Sequence, residues 1–107
     1  MADTINLNML VSNLECTIED AERLASLFFK SAKESLAKMK EGIDSGETEM
    51  IFKAAHSLKG SSGSLWLKEI QDFAFEIESA ARYDHPFDYP NAYAKLSQMV
   101  SEVTVAR

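Results

Sequence analysis

In the stretch Ile51-Phe52-Lys53-Ala54-Ala55-His56-Ser57-Leu58-Lys59-Gly60-Ser61-Ser62-Gly63, the apolar residues Ile51, Ala54, Ala55 and Leu58 recur at the spacing of one helix face. At about 100° per residue they form a stripe suited to a core. By the same arithmetic His56 points about 150° from the centre of that stripe, toward solvent. Lys59 follows at i+3 and Gly60 at i+4, so both neighbour the imidazole on the helix surface, and Phe52 lies one turn before it. The spacing predicts an amphipathic helix that buries one side and presents a histidine on the other.

Glycine inside a helix costs about 1 kcal/mol relative to alanine, so Gly60 and Gly63 require a reason. Bare backbone gives another molecule access to the ring. Alternatively the helix ends here, with Gly63 as its C-terminal cap. The residues of the stretch leave both explanations open.

Outward from this stretch the apolar period continues in both directions. Ile18, Ala21, Leu24, Ala25, Phe28, Ala32, Leu36, Met39 and Ile43 form a stripe about seven turns long. Thr17 is placed to cap that helix, with Asp20 three residues later as a variant capping box, and the helix should end near Ser45-Gly46. Leu27 and Phe29 lie off the stripe, either facing a partner or widening the core face. The histidine helix then begins at about Glu47 or Thr48 and ends at about Gly60 or Gly63. The loop before it is short, which predicts antiparallel neighbours.

Beyond Gly63, a fourth helix is marked by Trp66, Ile70, Phe73, Ile77, Ala80 and Ala81, with Phe75 on its polar face. Asp84-His85-Pro86-Phe87-Asp88-Tyr89-Pro90 breaks it, because proline removes a donor and restricts its predecessor. A last helix carries Tyr93, Leu96, Val100 and Val103 and frays toward Arg107. Residues 5–14 read as a short leading helix over the core. The expected fold is all-α: an antiparallel up-and-down four-helix bundle with a short additional N-terminal helix, forming one domain over residues 1–107.

Composition narrows the function. At 107 residues the chain is too short for a carrier domain plus a nucleotide-binding kinase domain. A net charge of −6 without a Lys/Arg-rich run argues against nucleic acid or anionic membrane as partner. No signal peptide and no run of about 18 apolar residues is present, so a cytoplasmic location is expected. Cys16 is the only cysteine, which excludes an intrachain disulfide and reads as a small hydrophobe.

Other chemistries fit poorly. Gly60-Ser61-Ser62-Gly63 does not continue as a phosphate-binding P-loop, so autonomous ATP-dependent kinase activity is not expected. Two histidines in separate segments and one distant cysteine do not make a metal site, and His85 beside a proline reads as a loop residue. A hydrolase would need a nucleophile aimed at the histidine; helical geometry does not aim Ser57 there, and a convex helix face is a poor pocket. An exposed imidazole on a rigid helix can instead act as a nucleophile toward an electrophile delivered by another protein.

The spacing H-x-L-K-G-x-x-G, with His56, Leu58, Lys59, Gly60 and Gly63 matched and Ala55 also fitting, resembles the signature of histidine phosphotransfer (HPt) domains of two-component phosphorelays. Chain size and helical layout extend the resemblance over nearly the whole sequence. It implies a phosphoryl carrier, not an enzyme with kinase activity of its own. His56 would accept the group through Nε2 from the phospho-aspartate of a receiver domain and pass it to another receiver. It further implies that Lys59 gives electrostatic support, that Gly60 and Gly63 give clearance, and that Phe52 belongs to the docking surface. Receiver domains and a hybrid sensor histidine kinase would be the partners of a monomer that binds no cofactor itself; Mg²⁺ would sit on the receiver. The alternative is a catalytically silent helical module that binds a receiver as scaffold or inhibitor.

Two positions depart from the family pattern. Trp66 stands where a small residue is common, and on a continuous helix it would face inward between the third and fourth helices. Glu78 stands where some members carry a Gln near the active imidazole. A carboxylate there would hold the ring tautomer or repel the phosphoryl group.

Overall fold

The computed structural model describes residues 2–107; Met1, expected at the start of the single domain, lies outside the described residues. The elements in chain order are β1 (Thr4–Asn6), α1 (Leu7–Leu14), α2 (Ile18–Ser45), α3 (Thr48–Ser64), α4 (Lys68–Arg82), α5 (Tyr89–Ser101) and β2 (Thr104–Ala106). The architecture is all-helical apart from one small parallel strand pair. Helix α2 packs on α3, α3 on α4, α4 on α5 and α5 back on α2, closing a ring around a common core, while α1 lies against α2.

Local chemistry sets the boundaries. Thr17 Oγ1 accepts from Asp20 N at 3.1 Å, capping α2 as its position predicts. Among the described residues no reciprocal bond runs from Thr17 N to Asp20, whose Oδ1 lies 3.4 Å from Arg23 Nη1. The helix stops at Gly46, whose φ of 74° is the left-handed conformation that glycine adopts without penalty. Asp88 caps α5 by accepting from Asn91 N at 3.1 Å. Pro90 therefore lies inside the first turn of α5, where no backbone donor is required, and only Pro86 belongs to the break.

The core is built from the predicted stripes. Phe28 of α2, Leu58 of α3, Ile70 and Ile77 of α4 and Leu96 of α5 are all 2% exposed or less. Truncating such a side chain to alanine typically costs about 2–5 kcal/mol, so these contacts help hold the helical ring together. Leu27 and Phe29 lie outside it and are exposed.

Both chain ends differ from expectation. Thr4–Asn6 form β1, and Thr104–Ala106 form β2 instead of fraying. The strands pair in parallel, Thr4 with Thr104, Ile5 with Val105 and Asn6 with Ala106. Three residues are too few to show a period-two pattern in sequence, and the partner lies about a hundred residues away. Ile5 is fully buried and so anchors the N-terminal strand to the core. Asp3 reaches α4, where its carboxylate accepts from Glu69 N at 3.3 Å and Ile70 N at 2.9 Å. It caps a helix whose own N-cap residue, Leu67, supplies no side-chain acceptor.

Trp66 is the second correction. It is not part of a helix and does not face inward: it has φ 59° in the turn between α3 and α4 and is 47% exposed. A single left-handed residue reverses the chain and turns its side chain outward, leaving Leu65 and Leu67 to enter the core on either side. Extrapolating a helical period across a turn cannot anticipate this.

Candidate functional site

Helix α3 continues through Gly60 and Gly63 to Ser64, so neither glycine ends it. His56 projects from its solvent face with the side chain 61% exposed. Phe52, one turn earlier and half-buried against the core, lies nearly parallel to the imidazole, with ring centroids 5.9 Å apart and planes inclined by 18°. Lys59, one turn later, is largely covered.

The neighbouring helix supplies the remaining part. Glu78 of α4 is 4% exposed, and its Oε2 lies 3.1 Å from His56 Nδ1. Its Oε1 lies 2.8 Å from the Lys59 ammonium, an ion pair that is its only polar contact among the described residues. The same ammonium sits 5.3 Å from the centroid of the exposed Phe75 ring. One buried carboxylate therefore bridges the histidine and the lysine of the motif.

The electrostatics follow from this bridge. Burial pushes the Glu78 carboxyl upward, but the hydrogen bonds and charges of Lys59 and His56 together outweigh it and hold the group below the ordinary glutamate value. A charged carboxylate accepts hydrogen bonds and cannot donate one. It therefore favours a proton on Nδ1, and the lone pair of the neutral ring is left on Nε2, the nitrogen that faces away from Glu78.

The two glycines have different surroundings. A Cβ at Gly60 would meet nothing within 4 Å, so the surface one turn beyond His56 is open. A Cβ at Gly63 would lie 2.6 Å from Gln71 Nε2, so the bare backbone there accommodates a side chain of α4. Ser57 turns to α2, 3.4 Å from Ser35 Oγ, and Ser62 is buried and donates to Leu58 O at 2.7 Å. Neither hydroxyl is directed at His56. Among the described residues no three His, Cys, Asp or Glu side chains are grouped to hold a metal ion, and no helix is long and apolar enough to cross a membrane.

The structure thus gathers Phe52 and Lys59 beside the His56 ring and adds to them, from α4, Glu78, which the family resemblance had placed near the imidazole. The sequence held a signal for that addition. Glu78 lies four residues after Ala74 and eight after Ile70, in the register of a buried face, and an ionisable residue in such a register requires a partner.

Known proteins bear on this arrangement. The family model of the Hpt domain matches residues 23–105. The chemotaxis protein CheA of Borreliella burgdorferi is 37% identical over 65 residues, covering 53% of this chain and 8% of that protein. CheA of Rhizobium meliloti is 28% identical over 68 residues, covering 56% of this chain and 9% of that protein. The chain thus spans less than a tenth of the length of the curated relatives it matches. No solved structure matches it.

Proposed function

Because this chain belongs to the Hpt domain family, we propose that it carries a phosphoryl group on His56, received from the phospho-aspartate of a receiver domain and passed to another receiver. The observation that carries this reading is the Glu78 bridge: Nδ1 is held at 3.1 Å by a buried carboxylate while the ring remains 61% exposed.

The step follows from those contacts. The Nε2 lone pair attacks phosphorus as the bond to the aspartate oxygen breaks, and the electron pair leaves with the aspartate carboxylate. The ring becomes cationic as the N–P bond forms, and Glu78 meets that charge at Nδ1–H. Phosphoryl transfer is largely positioning and charge neutralisation, so an open histidine suffices when the partner brings the electrophile. Lys59 offsets the negative charge brought close to Glu78, and Gly60 leaves room for the partner's approach. Mg²⁺ belongs to the receiver, and this chain contributes no ligand to it.

Hpt domains are phosphocarrier modules, and we assign this one no kinase activity of its own. We take the four long helices as an antiparallel up-and-down bundle forming a single domain; their short connections and closed ring of contacts support this. A cytoplasmic monomer serving receivers and a hybrid sensor histidine kinase completes the proposal.

The test is transfer from a panel of labelled phospho-receivers to the native protein and to His56→Gln. Acid-labile, alkali-stable label on the native protein and none on the variant is expected. Receiver binding without label would overturn the carrier reading in favour of a scaffold, and neither binding nor label would overturn it altogether.

A further inference from the structure

We infer that Phe52 is a positioning residue for the reactive imidazole, holding the ring in the plane in which Nδ1 meets Glu78 and Nε2 faces outward. This rests on the phosphoryl-carrier reading and assigns Phe52 a task inside the site in place of the docking role that the family resemblance implied.

An imidazole with a 61% exposed side chain has little packing of its own to fix its orientation. One edge is held by the 3.1 Å contact to Glu78, but a single hydrogen bond leaves the ring free to swing about that contact. Phe52 removes this freedom. It stands one helical turn away with its own ring partly packed into the core, and its plane is within 18° of the imidazole plane at 5.9 Å between centroids. These values lie within the range of offset-stacked aromatic pairs. Rotation of the imidazole about the Glu78 contact would sacrifice this stacking.

The same stacking bears on the chemical step. As Nε2 forms the N–P bond the imidazole gains positive charge, and the face of a phenyl ring attracts a cation. Glu78 meets the charge at the ring edge and Phe52 meets it at the ring face. Leucine would retain the apolar contact with the core but has no flat π-face; tyrosine has both. A docking role and a positioning role therefore predict different kinetics. Loss of a docking contact raises the receiver concentration needed for half-maximal rate. Loss of positioning lowers the rate at saturating receiver.

The experiment compares the native protein with Phe52→Leu and Phe52→Tyr. Ring ¹⁵N chemical shifts of His56, recorded with the imidazole neutral, report the tautomer without any phosphoryl donor. Transfer is then measured against receiver concentration with the labelled receiver that serves the native chain. The native protein and Phe52→Tyr should show the Nδ1–H tautomer and equal rates. Phe52→Leu should show mixed tautomers and a maximal transfer rate lowered about two- to thirty-fold, with an unchanged half-saturating concentration. A leucine variant with the native tautomer and maximal rate would overturn the inference, as would one altered only in half-saturation. Equal loss in the leucine and tyrosine variants would also overturn it. If the native protein takes no label from any receiver while the ring spectra change as described, the carrier reading fails and the positioning of the ring by Phe52 stands.

Discussion

Replacing Glu78 by glutamine keeps the shape of the side chain and removes its charge, and its expected effect follows from two distances. In the native site one oxygen lies 3.1 Å from His56 Nδ1 and the other 2.8 Å from the Lys59 ammonium. Glutamine has one acceptor oxygen and one NH₂ donor, so it cannot satisfy both neighbours. If the oxygen stays on Nδ1–H, the amide NH₂ faces the ammonium and Lys59 must leave. If the oxygen turns to the cation, the NH₂ donates to Nδ1 and drives the ring proton to Nε2, which removes the nucleophilic lone pair. Charge-assisted hydrogen bonds are roughly twice as strong as neutral ones, so the second outcome should dominate. Losing one partner of a fully buried pair costs about 3–5 kcal/mol. Lys59 retains 27% exposure and can turn to water, so about 1–2 kcal/mol is expected here, or roughly 4–15 °C in melting temperature for a domain of this size. Transfer should fall at least about tenfold, the equivalent of roughly 1.4 kcal/mol in tautomer preference.

The difference in stability also depends on pH. The Glu78 carboxyl is lower in the folded protein than the unfolded value of 4.5. The unfolded chain therefore takes up this proton first on acidification. The contribution of the bridge is fully present above about pH 4.5 and is lost as pH falls through the depressed folded value. Thermal melts of the native protein and Glu78→Gln should be well separated at neutral pH and converge in acid, while the ring ¹⁵N spectrum of the variant moves toward the Nε2–H form. Equal melting at neutral pH together with an unchanged transfer rate would refute the bridge as the organising contact.

Other substitutions separate stability from function. Gly60→Ala adds a methyl with nothing within 4 Å; chemical denaturation should show a gain of about 0.5–1 kcal/mol, whereas transfer from a receiver should slow if the partner needs that clearance. Lys59→Met removes the ion pair that helps lower the Glu78 carboxyl and leaves His56 alone to oppose burial, so its carboxyl ¹³C titration by NMR should move upward; an unmoved titration would refute the ion pair. Asp3→Ala removes the cap on α4 and should cost about 0.5–2 kcal/mol, with faster amide exchange at Glu69 and Ile70 and no direct change at His56; unchanged exchange at those amides would show that α4 does not depend on the N-terminal segment.

Much of this molecule is legible in local sequence. The stripes through Phe28, Leu58, Ile77 and Leu96 identify the helices, because the same helical period that spaces side chains along the chain sorts them into buried and exposed faces. Thr17 and Gly46 mark both ends of α2 through the hydrogen-bonding needs of helix termini. His56, Lys59 and Phe52 share a surface because residues three and four apart on a helix are neighbours. Tertiary structure decided what no local period encodes: the pairing of strands at opposite chain ends, the outward turn of Trp66, the cap that Asp3 places on α4, and the bridge from Glu78 to His56 and Lys59. Each joins residues on different elements or depends on a single backbone reversal, and such contacts are fixed only when the cores of the helices pack together.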